Sequence, residues 1–190
     1  MARTERNGVG AWAREGIVGR GVLVDWHAWR VRHGRAYDAF ETGTIPLAEL
    51  QAALREQGTE VRFGDVLLIR SGYLEAYRGL SREEVEAVRG RQPLRFTGVE
   101  QSEEMLEWLW GNFSAAGGDQ PSFEAWPTQR EWALHEVMLA GWGMPIGELF
   151  DLEALAAECA RLGRWSFFFT SKVCNVPGGV ASPPNALAIF

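Results

Sequence analysis

Two stretches decide the fold class: Ile17 to Asp25, IVGRGVLVD, and Gly64 to Ile69, GDVLLI. Each is a short apolar run bounded by glycine or aspartate. Such runs are the pattern of strands buried on both faces in the middle of a sheet. Gly19 and Gly21 break the first run, which marks a place where other groups approach the backbone closely. Working outward, Trp26 to His33 reads as a short helix. Thr44 is placed to cap a second helix with Pro46 in its first turn, Leu47, Leu50 and Leu54 as its apolar stripe and Gly58 as its stop. Ser81 and Glu84 have capping-box spacing for a surface helix. A further helix follows Ser102 and turns Met105, Leu106, Leu109 and Trp110 inward.

Phe113 to Ala116 is the next expected strand and ends at Gly117-Gly118-Asp119. Thr128 and Glu131 form another capping box, for a helix running through Trp132, His135, Val137, Met138 and Leu139 to Gly141. Glu153 to Leu162 is amphipathic, with Asp151 as its cap, and Trp165 to Thr170, WSFFFT, is a strand. The apolar tail Ala186 to Phe190 is expected to dock. Strands alternating with helices give an α/β layered domain. No repeat or linker divides residues 1–190, so one domain is expected, with 1–16 a poorly defined leader.

The chain has 190 residues, enough for a substantial core, and a net charge of -6. An acidic chain without a clustered basic face repels phosphate backbones, so nucleic acid is not an expected partner. Arg30, Arg32 and Arg35 read as a solvated helix face. No apolar run approaches membrane-spanning length, and the first residues lack the apolar core of a signal peptide. Cys159 and Cys174 have no metal-ligand spacing and suit a reducing, cytoplasmic compartment as free thiols.

Chemistry is concentrated in two places. Asp119, in Gly118-Asp119-Gln120-Pro121-Ser122, follows a strand, where α/β folds put ligands. It reads equally as a turn residue accepting backbone N–H bonds. His135 on its helix and Glu148 beyond the Gly141-Trp142-Gly143 turn are a sensible pair for zinc or manganese. Two ligands cannot hold a metal, however, and His135 also reads as an ordinary hydrogen-bonded histidine. His27 and His33 lie on another element. There is no nucleophile elbow or phosphate loop. The loop Asn175 to Asn185 is long enough to roof a pocket.

These landmarks, in order, resemble the putative cyclase family, the metal-dependent hydrolases that include bacterial-type kynurenine formamidase. The matching pieces are Gly19 to Asp25, Gly64 to Gly72, Asp119-Gln120-Pro121-Ser122, His135 with Glu148, and the closing stretch Asn175 to Phe190. The resemblance implies a swivelling β/β/α fold. It also implies hydrolysis of an amide C–N bond, of the N-formylkynurenine type in tryptophan catabolism, by metal-bound hydroxide. Zinc or manganese would be held by His135 and Glu148, Asp119 would be catalytic by orienting a ligand, and Trp26, Trp126 and Trp142 would wall the substrate pocket. The partners implied are a small-molecule substrate and further copies in a homo-oligomer. The family's His-x-Gly-Thr-His-x-Asp signature, which supplies most metal ligands, is missing: the sixteen residues before Ile17 hold no histidine. The turn between His135 and Glu148 is one residue longer than in the formamidases. The chain thus resembles the rear part of such a protein, N-terminally truncated. The alternative is an inactive cyclase-like binding or assembly protein.

Overall fold

A computed structural model describes residues 8–190. The two decisive runs form neighbouring strands, β1 (Ile17–Val24) and β3 (Asp65–Ile69), with the two-residue β2 (Thr44–Ile45) between them in the chain. They pair in parallel, Val22 beside Leu67 and Val24 beside Ile69. Every residue of β3 is buried, as a strand covered on both faces must be. β5 (Phe113–Gly118) and β6 (Ile146–Gly147) extend the parallel sheet on one side. β7 (Ser166–Ser171) and β8 (Ala186–Ile189) extend it antiparallel on the other, giving the order β6-β5-β3-β1-β7-β8. β2 pairs separately with β4 (Gly98–Val99). The apolar tail therefore does dock, as an edge strand.

Alternation along the strands divides the core into two layers. Val22, Val24, Leu67 and Ile69 pack under α2 (Trp26–Arg32), α3 (Leu47–Glu56) and α6 (Glu103–Asn112), with Trp26, Leu50 and Leu109 fully buried. Leu23, Val66, Leu68 and Ala115 face the other way, toward Ala156 and Cys159 of α7 (Glu153–Leu162) and toward Phe167 and Phe169. Gly21 explains the break in β1: a Cβ there would stand 2.3 Å from Cε2 of Phe167. Cys159 and Cys174 are free. Among the described residues, no helix is long and apolar enough to cross a membrane.

Several local expectations change. Thr44 lies in β2 and caps nothing; the first N–H of α3, from Leu47, goes to the Glu100 carboxylate 3.1 Å away. A distant side chain does what local sequence was expected to do. The Thr128–Glu131 box is absent, since 127–133 is a series of bends, and Glu136 instead accepts the Ala133 N–H. The helix that follows is a π-helix, Glu136–Trp142, ended by Gly143 at φ 69° rather than by Gly141. Trp110 points out, 59% exposed, against Trp142. Arg30, Arg32 and Arg35 are not merely solvated. They pair with Glu49 and Glu56 and clamp α2 to α3. The expected leader falls partly on residues 1–7, which lie outside the described residues. Its remainder is ordered as α1 (Gly10–Glu15), tied by Val9 N–H to the Gly179 carbonyl. Two short helices, α4 (Tyr73–Arg78) and α5 (Arg82–Arg89), complete the chain, and the Ser81–Glu84 capping box forms on α5 as expected.

Gly98 is the second glycine that a close approach demands. A Cβ there would lie 2.3 Å from the Glu124 carbonyl carbon, which is backbone and cannot swing away. Gly98→Ala should lower the unfolding free energy by about 1–3 kcal/mol. Gly111→Ala, with nothing within 4 Å on α6, should raise it by about 0.5–1 kcal/mol through helix propensity. Urea unfolding followed by tryptophan fluorescence separates the two, and an unchanged midpoint for Gly98→Ala would refute the tight contact.

Candidate functional site

Three neighbouring parallel strands end in buried polar residues: Asp25 after β1, Arg70 after β3 and Asp119 after β5. Arg70 donates to Asp25 at 3.0 Å and, through two nitrogens, to Glu153 at 3.0 and 2.6 Å; it also pairs with Glu75. Burial alone would push this guanidinium down, but the Glu153 hydrogen bonds and the Asp25 charge raise it, so it stays charged. Asp119 is fully buried and accepts from Ser71 N–H (2.6 Å), Ser71 O–H (2.8 Å), Gly72 N–H (3.0 Å) and Leu74 N–H (3.4 Å). Burial pushes its carboxyl above the usual range, partly opposed by those bonds. Of the two readings of Asp119, the turn residue describes its contacts. It holds the Ser71–Leu74 turn and is not among the residues lining the main cavity.

His135 and Glu148 do converge. Glu148 follows β6, and its Oε1 lies 3.0 Å from Nε2 of His135 while also accepting the Phe123 N–H at 2.8 Å. Between them lie a π-helix that begins after His135, the turn at Gly143 (φ 69°) and β6, which bring the chain back to the imidazole. On its other side, His135 Nδ1 lies 2.5 Å from Oε2 of Glu124, a carboxylate only 2% exposed. Glu124 Oε1 also accepts the His135 backbone N–H at 3.3 Å. Glu124 is fixed in turn by a parallel bridge to Val99 and by the buried Phe123 beside it.

The hydrogen bonds to Glu124 and then Glu148 push the His135 imidazole up to about 10 against the opposing effect of burial. For Glu124, burial acts upward, but the hydrogen bond and charge of His135 outweigh it and the net direction is down. His135 is therefore an imidazolium donating from both nitrogens. Sequence reasoning missed Glu124: it stands eleven residues before His135, on a segment without regular structure, and no local pattern joins the two.

His135 and Glu148 line one end of a cavity of about 660 Å³. Its walls are Trp12, Ile17, Val66, Leu68, Phe150 and Phe169, and Val180 to Ser182 close it, so the long loop does roof a pocket. The three expected wall tryptophans are elsewhere. Trp26 is fully buried in the core and donates to Glu49 at 2.8 Å. Trp126 is an exposed residue bridged to Phe96, and Trp142 packs at a tilt against Trp110. Trp12 takes their place, on a segment whose sequence showed no element. His27 pairs with Tyr37 and Glu75, and His33 with Glu56, apart from this cavity.

As a metal centre, the donor set is partial. One imidazole and one carboxylate meet at the cavity, and the second carboxylate sits behind the imidazole, where it would orient a ligating histidine. Among the described residues no group of three or more His, Cys, Asp or Glu is placed to hold an ion. The residues thus fit two members of a ligand set and do not fit a complete one.

Known proteins give the class. The family model described as putative cyclase matches residues 3–125, well over half of the chain, and the chain belongs to this family. Its fold is the mixed α/β fold of solved cyclases. The crystal structure of a novel cyclase superposes with a TM-score of 0.81 at 29% identity, covering 96% of this chain and 57% of that one. Isatin hydrolase A from Ralstonia solanacearum superposes with a TM-score of 0.68 at 21% identity, covering 96% of this chain and 64% of that one. The chain therefore spans about three fifths of the length of these solved relatives. No curated protein matches it.

The ion triad has a pH signature. His135 is raised from 6.5 to about 10 on folding, so its contribution is complete below about pH 6.5 and is lost as pH rises through 10. Glu124, lowered from 4.5, contributes above that value and loses its contribution in acid. Guanidinium unfolding of the wild type should show stability falling from pH 6.5 to 10. In His135→Gln the slope over that window should flatten, and an undiminished slope would refute the assignment.

Proposed function

We propose that this chain serves hydrolysis of an amide C–N bond, of the N-formyl arylamine type, as part of a zinc or manganese hydrolase. The observation that carries the proposal is the meeting of His135 and Glu148 at one end of an apolar cavity, with Glu124 behind the imidazole. Family membership supports it, and an isatin hydrolase with the same fold is in keeping with it. His135 and Glu148 would be two ligands of the ion, the others coming from outside residues 8–190. When bound, the ion would polarise the scissile carbonyl and activate water.

This chain's own residues would do the rest. Glu124 would accept from Nδ1 and so turn the Nε2 lone pair toward the cavity, once the triad gives up its second proton. Glu148 would be held in place by the Phe123 N–H. Trp12, Leu68 and Phe169 would take an aryl body and exclude water. Asp119 would act only as a positioning residue, through the Ser71–Leu74 turn. The compartment we propose is the cytoplasm, in keeping with two free thiols, and the working state a homo-oligomer. The exposed Val18, Phe168, Leu187 and Ile189 support the latter.

A second reading, a non-catalytic binding protein, is favoured by the way both ring nitrogens of His135 are engaged by carboxylates. Metal content and N-formylkynurenine hydrolysis separate the two. Under the hydrolase reading, bound zinc or manganese is lost on His135→Ala and weakens about 10–100-fold on Glu124→Gln, and hydrolysis falls in parallel. Metal binding indifferent to His135, together with no hydrolysis, would leave the binding reading standing.

A further inference from the structure

The cavity holds one polar atom that the protein's own hydrogen bonds leave open. Glu148 spends only one of its oxygens on the protein: Oε1 takes both His135 and the Phe123 N–H, while Oε2 has no partner among the described residues. The side chain is 30% exposed and lines the cavity. The walls beyond it are mostly Trp12, Ile17, Val66, Leu68, Phe150 and Phe169, and the lining serines Ser171 and Ser182 already donate their hydroxyls to the Asn185 and Pro183 carbonyls. The local charge is also unbalanced. Two carboxylates, Glu124 and Glu148, flank the one imidazole of His135, and among the described residues no Lys or Arg lines the cavity. A free carboxylate oxygen at the end of an apolar cavity of about 660 Å³ is complementary to a ligand with a hydrocarbon body and one cationic N–H donor. An anionic head would meet the same carboxylates and be repelled.

We propose that this cavity binds hydrophobic amines, the aryl or branched alkyl body packed between Trp12 and Phe169 and the ammonium donating to Oε2 of Glu148. The inference shares its cavity with the hydrolase reading and depends on neither the metal nor hydrolysis. A bound metal ion would draw on the same carboxylate, so amine and metal compete.

The test is calorimetric titration of the chelator-treated chain with 2-(2-naphthyl)ethylammonium, beside two near-isosteres, 2-(2-naphthyl)ethanol and 3-(2-naphthyl)propionate. The ammonium should bind at least tenfold tighter than the alcohol, and the propionate weakest. Glu148→Gln, checked for folding by circular dichroism, should bring the ammonium to the level of the alcohol and leave the alcohol unchanged. Ala115→Leu, which fills the cavity from the sheet side, should weaken all three. Equal binding of the three by the wild type, no binding of any, or an ammonium preference that survives Glu148→Gln would each overturn the proposal. A chain that keeps the preference but takes up no zinc fails only the metal reading. One that takes up zinc through His135 yet shows no preference fails only this one.

Discussion

Three charges buried at the carboxyl ends of adjacent parallel strands hold this structure together. A guanidinium or carboxylate taken from water costs several kcal/mol unless it is paired, and at 7% exposure Arg70 has little water to turn to. It reaches Asp25 at the end of β1 and Glu153 at the start of α7, so strand and helix are locked to the end of β3. Asp119 does the same between β5 and the Ser71–Leu74 turn, with four hydrogen bonds to one carboxylate. The apolar layers press the strands together, but these pairs set where their ends stop.

The candidate site is built on that platform by a second set of charges, closer to the surface. Glu124, His135 and Glu148 come from an irregular segment, a helix end and the end of a short edge strand, and none could hold the others in place alone. Phe123 and the Val99 bridge fix Glu124, and Phe123 N–H fixes Glu148. The π-helix lies between His135 and Glu148, its ladder spanning five residues instead of four, a rare geometry that is frequent at functional sites.

Most regular elements were legible in the sequence. Apolar runs between turn residues marked β1, β3 and β7, and the Ser81–Glu84 box marked α5. Errors fell where another group took over the expected cap. The distant Glu100 caps α3 in place of Thr44, and the neighbouring Glu136, three residues past Ala133, takes the N–H in place of the Thr128–Glu131 box. Of the site, His135 and Glu148 were legible as a pair of ligand types around a glycine turn. The wall tryptophans were not, because a ring's side of the sheet depends on packing that spacing does not encode.

What the chain's order of residues determined by itself was the layered α/β class and the buried central strands, which follow from periodicity and turn residues, and a likeness to the cyclases carried by short motifs in order. These are local properties. Only the tertiary structure decided that Glu124 stands behind His135, that Trp12 and not Trp26 faces the cavity, and that Asp119 braces a turn. Each depends on desolvated groups finding partners far along the chain, and such pairing is settled by packing in three dimensions rather than by sequence distance.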